Sequence, residues 1–505
     1  MRIPCSFAIL PILNRSQRIR VTIAGCLLAG ALLRLLAIQH TPPGLWLDEA
    51  FNGTDALRAL STGRFQVFYP ANFGREGLFI NLQALSILLF RDLLHWSAWP
   101  EPWMLRVVSA LIGTLTLAAL YPLARRLLST RESLLALFFL ATSFWHVVFS
   151  RVGFRVIAAP LFLCLSFYFL LKFAARLHER FGVALMFSAL AGVACGTGLH
   201  TYIGFRPVPA LAVAVLYVAV RRERPARIAG AMATFALGLL VAFYPLLHYF
   251  ISHPGSFLER ADDIAVWNAP FPFKAFLYNC VETAQMFFLA GDANWRHNLA
   301  KAPQLSFLLA PCVLAGLIRM TLDLFRIGFR RNRAALVFGL LFVTVLAPIL
   351  GGEGAPHALR GLQMVVPLMI AAGLGGAWIY RTLLRSLGVR RAWCVAVVLL
   401  ALSGSVETYK YFWRYARSPK LIGFFSVPAV EAGYKLRTLP PGTPKIVVVA
   451  LGASIDAPPM MFVADAWDEA RLARLHVQFT KDKAAAQQVH GAIVLDTTWA
   501  SPEPE

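Results

Sequence analysis

Met104-Leu105-Arg106-Val107-Val108-Ser109-Ala110-Leu111-Ile112-Gly113-Thr114-Leu115-Thr116-Leu117-Ala118-Ala119-Leu120-Tyr121-Pro122-Leu123-Ala124, closed by Arg125 and Arg126, is an apolar run of bilayer-crossing length, which takes about 17–25 residues. Its reading decides the fold, because the pattern recurs along the chain. Comparable runs lie near 19–39, 133–149, 156–175, 182–200, 207–220, 228–250, 303–320, 334–350, 361–380 and 392–406, giving eleven expected transmembrane helices in all. The 505 residues are 58% hydrophobic, above the about 45–50% of soluble domains. An all-α polytopic membrane protein is expected.

The net charge of +22 would suit nucleic acid only if it formed a patch, and the basic residues fall between spans instead. Alternate loops carry them: Arg125, Arg126 and Arg131; Arg176 and Arg180; Arg221, Arg222, Arg224 and Arg227; Arg326, Arg330, Arg331 and Arg333; Arg381, Arg385, Arg390 and Arg391. Positive charge near span ends collects on the cytoplasmic side, so these loops and the N-terminus are expected inside. Loops 40–103, 150–155, 200–206, 251–302 and 351–360 and the tail from 407 then face outward. Only Glu132, Glu179, Glu223 and Asp323 of the acidic residues fall inside, so carboxylate chemistry is expected on the outer face. The first run follows Arg15, Arg18 and Arg20 like a signal sequence but ends without small residues at a cleavage position, and is read as a retained span. Cys5, Cys26, Cys164, Cys195, Cys280, Cys312 and Cys394 show no Cys-x-x-Cys spacing and lie mostly in apolar segments, so they read as packing residues rather than a disulfide framework or a zinc site.

Immediately outside the first span comes Pro42-Pro43-Gly44-Leu45-Trp46-Leu47-Asp48-Glu49-Ala50-Phe51-Asn52-Gly53-Thr54-Asp55. The prolines end the preceding helix. Leu47, Phe51, Leu57 and Leu60 then recur at helical spacing up to Gly63, which predicts an amphipathic helix with Asp48 and Glu49 in its first turn. The helix dipole alone also favours acidic residues there. A second amphipathic stretch begins at Gly74. Loop 251–302 contains Trp267, Glu282, Asp292, Trp295 and His297, and its aromatics read as interfacial anchors. Residues 1–406 form the membrane core and 407–505 an outer C-terminal segment. Within the latter, strand-like Lys445–Ala450 and His490–Asp496 flank a helical stretch, a small α/β unit over 445–500 with no Gly-rich phosphate signature.

Several short motifs sit on the outer side: Leu47-Asp48-Glu49-Ala50, Gly74-Arg75-Glu76-Gly77-Leu78-Phe79, Arg106 to Gly113, Trp145-His146 with Ser150 to Arg155, and Pro356-His357-Ala358-Leu359-Arg360. In these the chain resembles the GT-C membrane glycosyltransferases, specifically the family 39-like bacterial relatives of protein O-mannosyltransferases and aminoarabinose transferases. The resemblance covers roughly residues 20–380. It implies a polyprenyl-phosphate sugar donor, inverting transfer at the outer face of a bacterial inner (plasma) membrane, and a first-loop acidic residue as base. Where many relatives have His-Pro-Pro-Leu, this chain has Arg75-Glu76-Gly77-Leu78, which leaves the acceptor open among protein, lipid and polysaccharide.

A lipid phosphate leaves readily once its charge is stabilised, so such an enzyme needs a base for the acceptor hydroxyl and cations for the phosphate. Asp48 is the expected base, with Glu49 fixing geometry or helping to bind the acceptor. Arg360, His357, Arg106, Arg155 and Arg206 are the expected donor-phosphate ligands, although lipid headgroups would also hold such arginines. Arg75, Glu76, His200 and Tyr202 are expected to line the acceptor cavity. Asp48, Glu49, Glu76 and a histidine offer the oxygen-rich set a divalent metal could use, but no Asp-x-Asp occurs and no His/carboxylate spacing demands one, so no cofactor or metal site is predicted. The competing reading is a lipid or sugar transporter, which would show ionisable residues at midplane or broken helices in matching halves. Arg34, inserted within the first span, is expected to snorkel outward.

Overall fold

The computed structural model describes residues 14–327, 333–352, 354–450, 452 and 457–498; Cys5, Arg330 and Arg331 lie outside these. Helix α1 (Arg15–Leu35) starts on a capping box between Asn14 and Gln17. Then follow α2 (Leu47–Thr62), the two-residue strands β1 (Phe68–Tyr69) and β2 (Arg75–Glu76), and α3 (Gly77–Ile87). The bundle continues through α4 (Pro102–Leu127), α5 (Thr130–Thr142), α6 (Phe144–Ser150), α7 (Ala158–Arg176), α8 (Phe181–Gly198), α9 (Val208–Val220) and α10 (Pro225–Ser252). Helices α11 (Gly255–Asp263) and α12 (Pro272–Gln285) lead to α13 (Leu309–Ile327), α14 (Arg333–Leu350) and α15 (Val365–Tyr409).

Among the described residues, seven helices are long and apolar enough to cross a membrane, or eight if the α5–α6 pair, bent by 54°, is one span. Each of the eleven expected runs contains helix, and the lower number has two further sources: α1 and α13, at 21 and 19 residues, are long enough but more charged, and the last two runs lie in the single helix α15. That helix breaks at Gly388, whose φ of 73° is non-helical and suits a residue without Cβ. On one side of the break, Gly373 abuts Glu132 and Ala136 of α5; on the other, Gly404 abuts Phe138 and Thr142 farther along it. The two halves therefore run along α5 as a hairpin, as two spans would.

Helices approach closely where side chains are small, as membrane bundles do. A Cβ on Gly192 of α8 would lie 2.1 Å from the Phe235 carbonyl oxygen of α10. One on Gly375 of α15 would lie 1.9 Å from that of Cys312 in α13. Basic residues gather at the end away from α2: Arg333 donates to the Leu127 carbonyl at 3.3 Å, and Arg381 pairs with Glu132 at 2.8 Å. Arg34 does not snorkel. It is fully buried in the α5–α6 break, donating to the carbonyls of Leu140 (3.2 Å) and Ala141 (3.0 Å) and meeting His146 Nδ1 at 2.7 Å. A guanidinium serves there because a bent helix leaves carbonyls unpaired and there is no water to take them.

Past α15, α16 (Lys420–Phe424) and α17 (Val427–Thr438) lead into a three-stranded parallel sheet. Its central strand β3 (Lys445–Val448) lies between β4 (Val477–Thr480) and β5 (Ile493–Asp496). The α/β unit expected over 445–500 thus has one strand, β4, that hydropathy did not single out. The unit packs onto α2: Phe462 and Val463 share a core with Ala50, Ala56 and Leu57, and a Cβ on Gly53 would meet the Phe462 ring. The tail backs the helix that carries Asp48 and Glu49.

Candidate functional site

Helix α2 starts where the Glu49 side chain accepts from the Trp46 backbone N–H at 3.1 Å, and it ends at left-handed Gly63. Glu49 is completely buried. Its Oε1 accepts from Arg106 Nε (3.0 Å) and the Gly153 amide (2.6 Å), and its Oε2 from Arg106 Nη2 (3.1 Å) besides Trp46. Four donors saturate both oxygens. Arg106 also donates to the carbonyls of Pro42 (2.6 Å) and Gly44 (2.8 Å) and is 1% exposed. Its expected place on a donor phosphate does not fit this geometry: the guanidinium is spent on tying α4 to the α1–α2 turn.

Asp48, one residue earlier, is half-buried and accepts one side-chain hydrogen bond, from Asn72 at 2.8 Å. Asn72, Phe73 and Gly74 all have positive φ, a tight turn that asparagine and glycine tolerate and that presents the amide to Asp48. Burial pushes the Asp48 carboxyl up, but Asn72, the Trp46 indole, Arg296 and Arg155 together hold it below the usual carboxylate range.

The expected cavity residues divide. Arg75, 1% exposed, donates to Asn52 (2.7 Å), to the Ala71 carbonyl (3.2 Å) and to Asp55, so it fastens β2 to α2 rather than lining a cavity. Glu76 pairs with Arg155 at 2.9 Å, and Arg155 keeps 15% of its side chain exposed, 5.9 Å from the Tyr202 ring centre. His200 bonds to the Ala242 carbonyl at 3.0 Å, packing α8 on α10. Arg206 donates to the Phe257 carbonyl at 2.6 Å and lies 4.1 Å over that ring. Glu76 and Arg155 both act on its charge.

A second group has its charge felt at Asp48 through Arg296, and loop 251–302 supplies most of it. Arg296 lies 3.9 Å over the Trp46 ring, and its charge reaches Asp48, His297 and His357. Asp292 is 4% exposed. Its Oδ2 accepts from the Ala358 amide (2.8 Å) and faces His297 Nδ1 at 2.9 Å, while Oδ1 takes the Asn294 amide at 2.8 Å. Trp145 donates to the Ala358 carbonyl at 3.1 Å, so both sides of that residue are fixed. The segment carrying His357 and Arg360 is thereby held against His297, with the two imidazoles 5.0 Å apart. Burial would raise the Asp292 carboxyl, yet His297, His357 and the Asn294 amide bring it down to about 2. Burial, with His297 and Arg360 close by, holds His357 well below the ordinary imidazole range. Arg360 is 4% exposed and packs on Gly351, where a Cβ would lie 2.0 Å from its Nη1. Asp292, His297 and His357 offer ligand-type atoms within 4.8 Å of one another, but in this geometry both lone pairs of Asp292 Oδ2 already face N–H groups.

Sequence reasoning placed Asp48, Arg155, His357 and Arg360 on one end of the bundle. It missed Asn72, Arg296 and the pairing of Asp292 with His297. The one available signal was the crowding of Asp292, Asn294, Trp295, Arg296, His297 and Asn298 into seven positions of an otherwise apolar chain.

A family model described as dolichyl-phosphate-mannose-protein mannosyltransferase matches residues 100–249, short of α2. No curated protein matches the chain in sequence. Among solved structures, the apo oligosaccharyltransferase of Archaeoglobus fulgidus matches at TM-score 0.54 and 13% identity over 89% of this chain and 64% of its own. The chain therefore spans somewhat under two thirds of that enzyme. ArnT from Cupriavidus metallidurans, bound to undecaprenyl phosphate, matches at 0.54 and 15% over 90% and 85%. The A. fulgidus AglB with an inhibitory peptide and a dolichol-phosphate matches at 0.51 and 13% over 92% and 69%. The chain has the GT-C fold that its motifs suggested.

Proposed function

We propose that this membrane protein of the GT-C fold transfers a sugar from a polyprenyl-phosphate donor to an acceptor hydroxyl on the outer face of the membrane, with Asp48 as general base and inversion at the anomeric carbon. One observation carries the assignment: of two adjacent carboxylates, Glu49 is saturated by four donors and Asp48 is not. Asp48 keeps oxygen lone pairs for an incoming hydroxyl, and Asn72 fixes its rotamer. Its depressed basicity is offset by pre-organisation, since a positioned base contributes about 10²–10⁴ to rate. Arg155, Arg296 and Arg360 provide the positive field for the phosphate as its bond to the sugar breaks, with His357 beside Arg360 as a neutral hydrogen-bonding group. Two structural neighbours carry undecaprenyl phosphate and dolichol-phosphate, which supports this donor class. No step uses a metal.

The experiment is to give membranes containing the protein a set of radiolabelled polyprenyl-phosphate sugars and to follow which label moves, and to what. Label transfer that disappears in Asp48→Asn supports the reading. Sugar crossing the bilayer still attached to its lipid, with no transfer, would favour a transporter. The same reading places α2 and the tail outside a bacterial inner membrane: a cysteine at exposed Gly63 should react with an impermeant thiol reagent in intact cells, and one at exposed Arg222 should not.

A further inference from the structure

Helix α12 has 14 residues, which at about 1.5 Å per residue give about 21 Å, too little to cross a hydrocarbon core of about 30 Å. Its two sides differ. Phe273, Leu277, Val281 and Ala284 recur at helical spacing and stand exposed, with exposed Trp267 and Phe271 before the helix and Leu289 after it. Asn279 and Thr283 lie on the opposite side and are buried. Lys274 and Tyr278 border the apolar stripe and are exposed too, a cation and an amphipathic ring suited to anionic headgroups. The helix packs across the end of α14, a helix of span length whose Phe342 and Leu350 are themselves exposed. A short amphipathic helix of this kind lies in the plane of a bilayer surface, apolar side in the lipid.

The buried side leads to Arg360. Asn279 Nδ2 donates to the carbonyls of Gly351 (2.7 Å) and Ile349 (3.2 Å), which stand at the C-terminal end of α14, where no later turn supplies donors. With two carbonyls facing it, the amide presents its NH2 and not its oxygen. The residues before α12 hold the same turn: Gly352 N–H donates to the Ile264 carbonyl at 2.5 Å, and Ala265 forms an antiparallel bridge with Gly351. Gly351 is also where the Arg360 guanidinium rests, since a Cβ there would lie 2.0 Å from Nη1 and 2.9 Å from Cζ. The floor under Arg360 is thus set from the α11–α12 side.

We propose that α12 is a membrane-surface helix that positions Arg360: outer-leaflet phospholipid seats the Phe273, Leu277 and Val281 side, and Asn279 carries that depth to the Gly351 turn under the guanidinium. The proposal rests on the transferase reading, in which Arg360 meets the donor phosphate. The arrangement has a physical use. A lipid-linked donor carries its phosphate at headgroup level, so the bilayer and not the protein sets its depth. An arginine whose floor is fixed by a helix riding on the same surface stays level with that phosphate. Asn279 is a positioning residue, acting through Arg360.

The test uses the full chain in phospholipid nanodiscs. A fluorescent amino acid at position 277 should be quenched more by lipids with a nitroxide near the headgroup than by lipids with one at the acyl end. Quenching that is absent, or strongest from the acyl end, overturns the lipid seat, whether water, a second copy or the hydrocarbon core surrounds that side. Asn279→Ala should lower kcat/KM for a polyprenyl-phosphate sugar about fivefold, and Asn279→Ser, which keeps one donor, should recover part of the loss. In an Arg360→Lys background, Asn279→Ala should change kcat/KM less than twofold, because coupled residues are not additive. Leu277→Glu leaves Asn279 in place and gives the same cycle where Asn279→Ala does not accumulate. Losses that multiply in the double variants, or wild-type kcat/KM in Asn279→Ala, overturn the positioning role. If the wild-type protein moves sugar from no lipid-phosphate donor, the transferase reading fails and the role at Arg360 falls with it; if the wild-type protein is active and the losses multiply, the positioning role alone fails.

Discussion

Asp48 and Glu49 are neighbours in the chain and opposites in the structure. The Glu49 side chain turns into the protein, where Arg106, Trp46 and Gly153 fill both oxygens; Asp48 feels the charges of Arg296 and Arg155 and takes one bond from Asn72. The same division runs through the arginines. Arg106 and Arg75 are each 1% exposed and bind protein acceptors through several nitrogens, whereas Arg155 holds one ion pair and stays partly open. What separates structure from chemistry here is whether the chain already satisfies the group. A buried carboxylate with four donors can neither take a proton nor meet a substrate.

The comparison breaks most sharply at Asp48. Asp48→Asn keeps an oxygen for the Asn72 amide, so abundance should not change, while kcat should fall by about 10²–10⁴ with donor binding retained. Single-turnover assays beside an immunoblot would show it. Glu49→Gln should do the reverse. It leaves the Arg106 charge buried with half its partner, which costs about 3–5 kcal/mol of stability, so folded protein should drop in detergent size-exclusion profiles while the surviving fraction turns over within about threefold of wild type. If Asn at 48 unfolds the protein and Gln at 49 leaves it folded but inactive, the two roles are exchanged.

How far the sequence carried this follows from where each partner lies. The bundle was legible because hydrophobic runs and basic span ends are local signals, and α2 because its periodicity and Gly63 are local too. The saturation of Glu49 was not, since Arg106 and Gly153 stand 57 and 104 positions away. Asp292 meets His297 five positions on, but its third donor is the Ala358 amide, 66 positions away in a different loop. Short polar residues in an irregular loop have no period to read. Arg34 misled for a related reason: its position near a span end suits an outward-reaching side chain, and only the bend between α5 and α6 shows the carbonyls it serves. Strand β4 alternates too weakly to stand out, and its pairing with β3 depends on a parallel neighbour that local pattern does not reveal.

Arg360 tests the division at intermediate strength. Its segment is fixed at Ala358 by Asp292 and Trp145, so a lysine should not disturb the fold. The planar guanidinium, if it meets the donor phosphate in fixed geometry, should not be replaceable by a point charge. Arg360→Lys is expected to weaken lipid-phosphate-sugar use about tenfold, or about 1.4 kcal/mol of transition-state stabilisation, at unchanged abundance. Wild-type kcat/KM in this variant would move Arg360 to the structural side and leave the phosphate to Arg155 and Arg296.

The smallest effect is expected at Arg206, and it is informative for that reason. Sequence position groups Arg206 with Arg155, since each ends a Gly-Phe-Arg stretch on the same end of the bundle. Structure separates them: Arg206 Nη1 donates to the Phe257 carbonyl and the guanidinium lies on that ring, so its contacts anchor α11 beside the end of α10. A lysine keeps one donor and a cation over the ring, interactions worth about 0.5–1 kcal/mol where partly exposed. Arg206→Lys should therefore change kcat/KM less than threefold, against a larger loss for Arg155→Lys, which also breaks up the pair with Glu76. A tenfold loss at Arg206 would show that the charge linking it to Glu76 and Arg155 matters more than its contact with Phe257, and would enlarge the open cationic group around Asp48 by one residue.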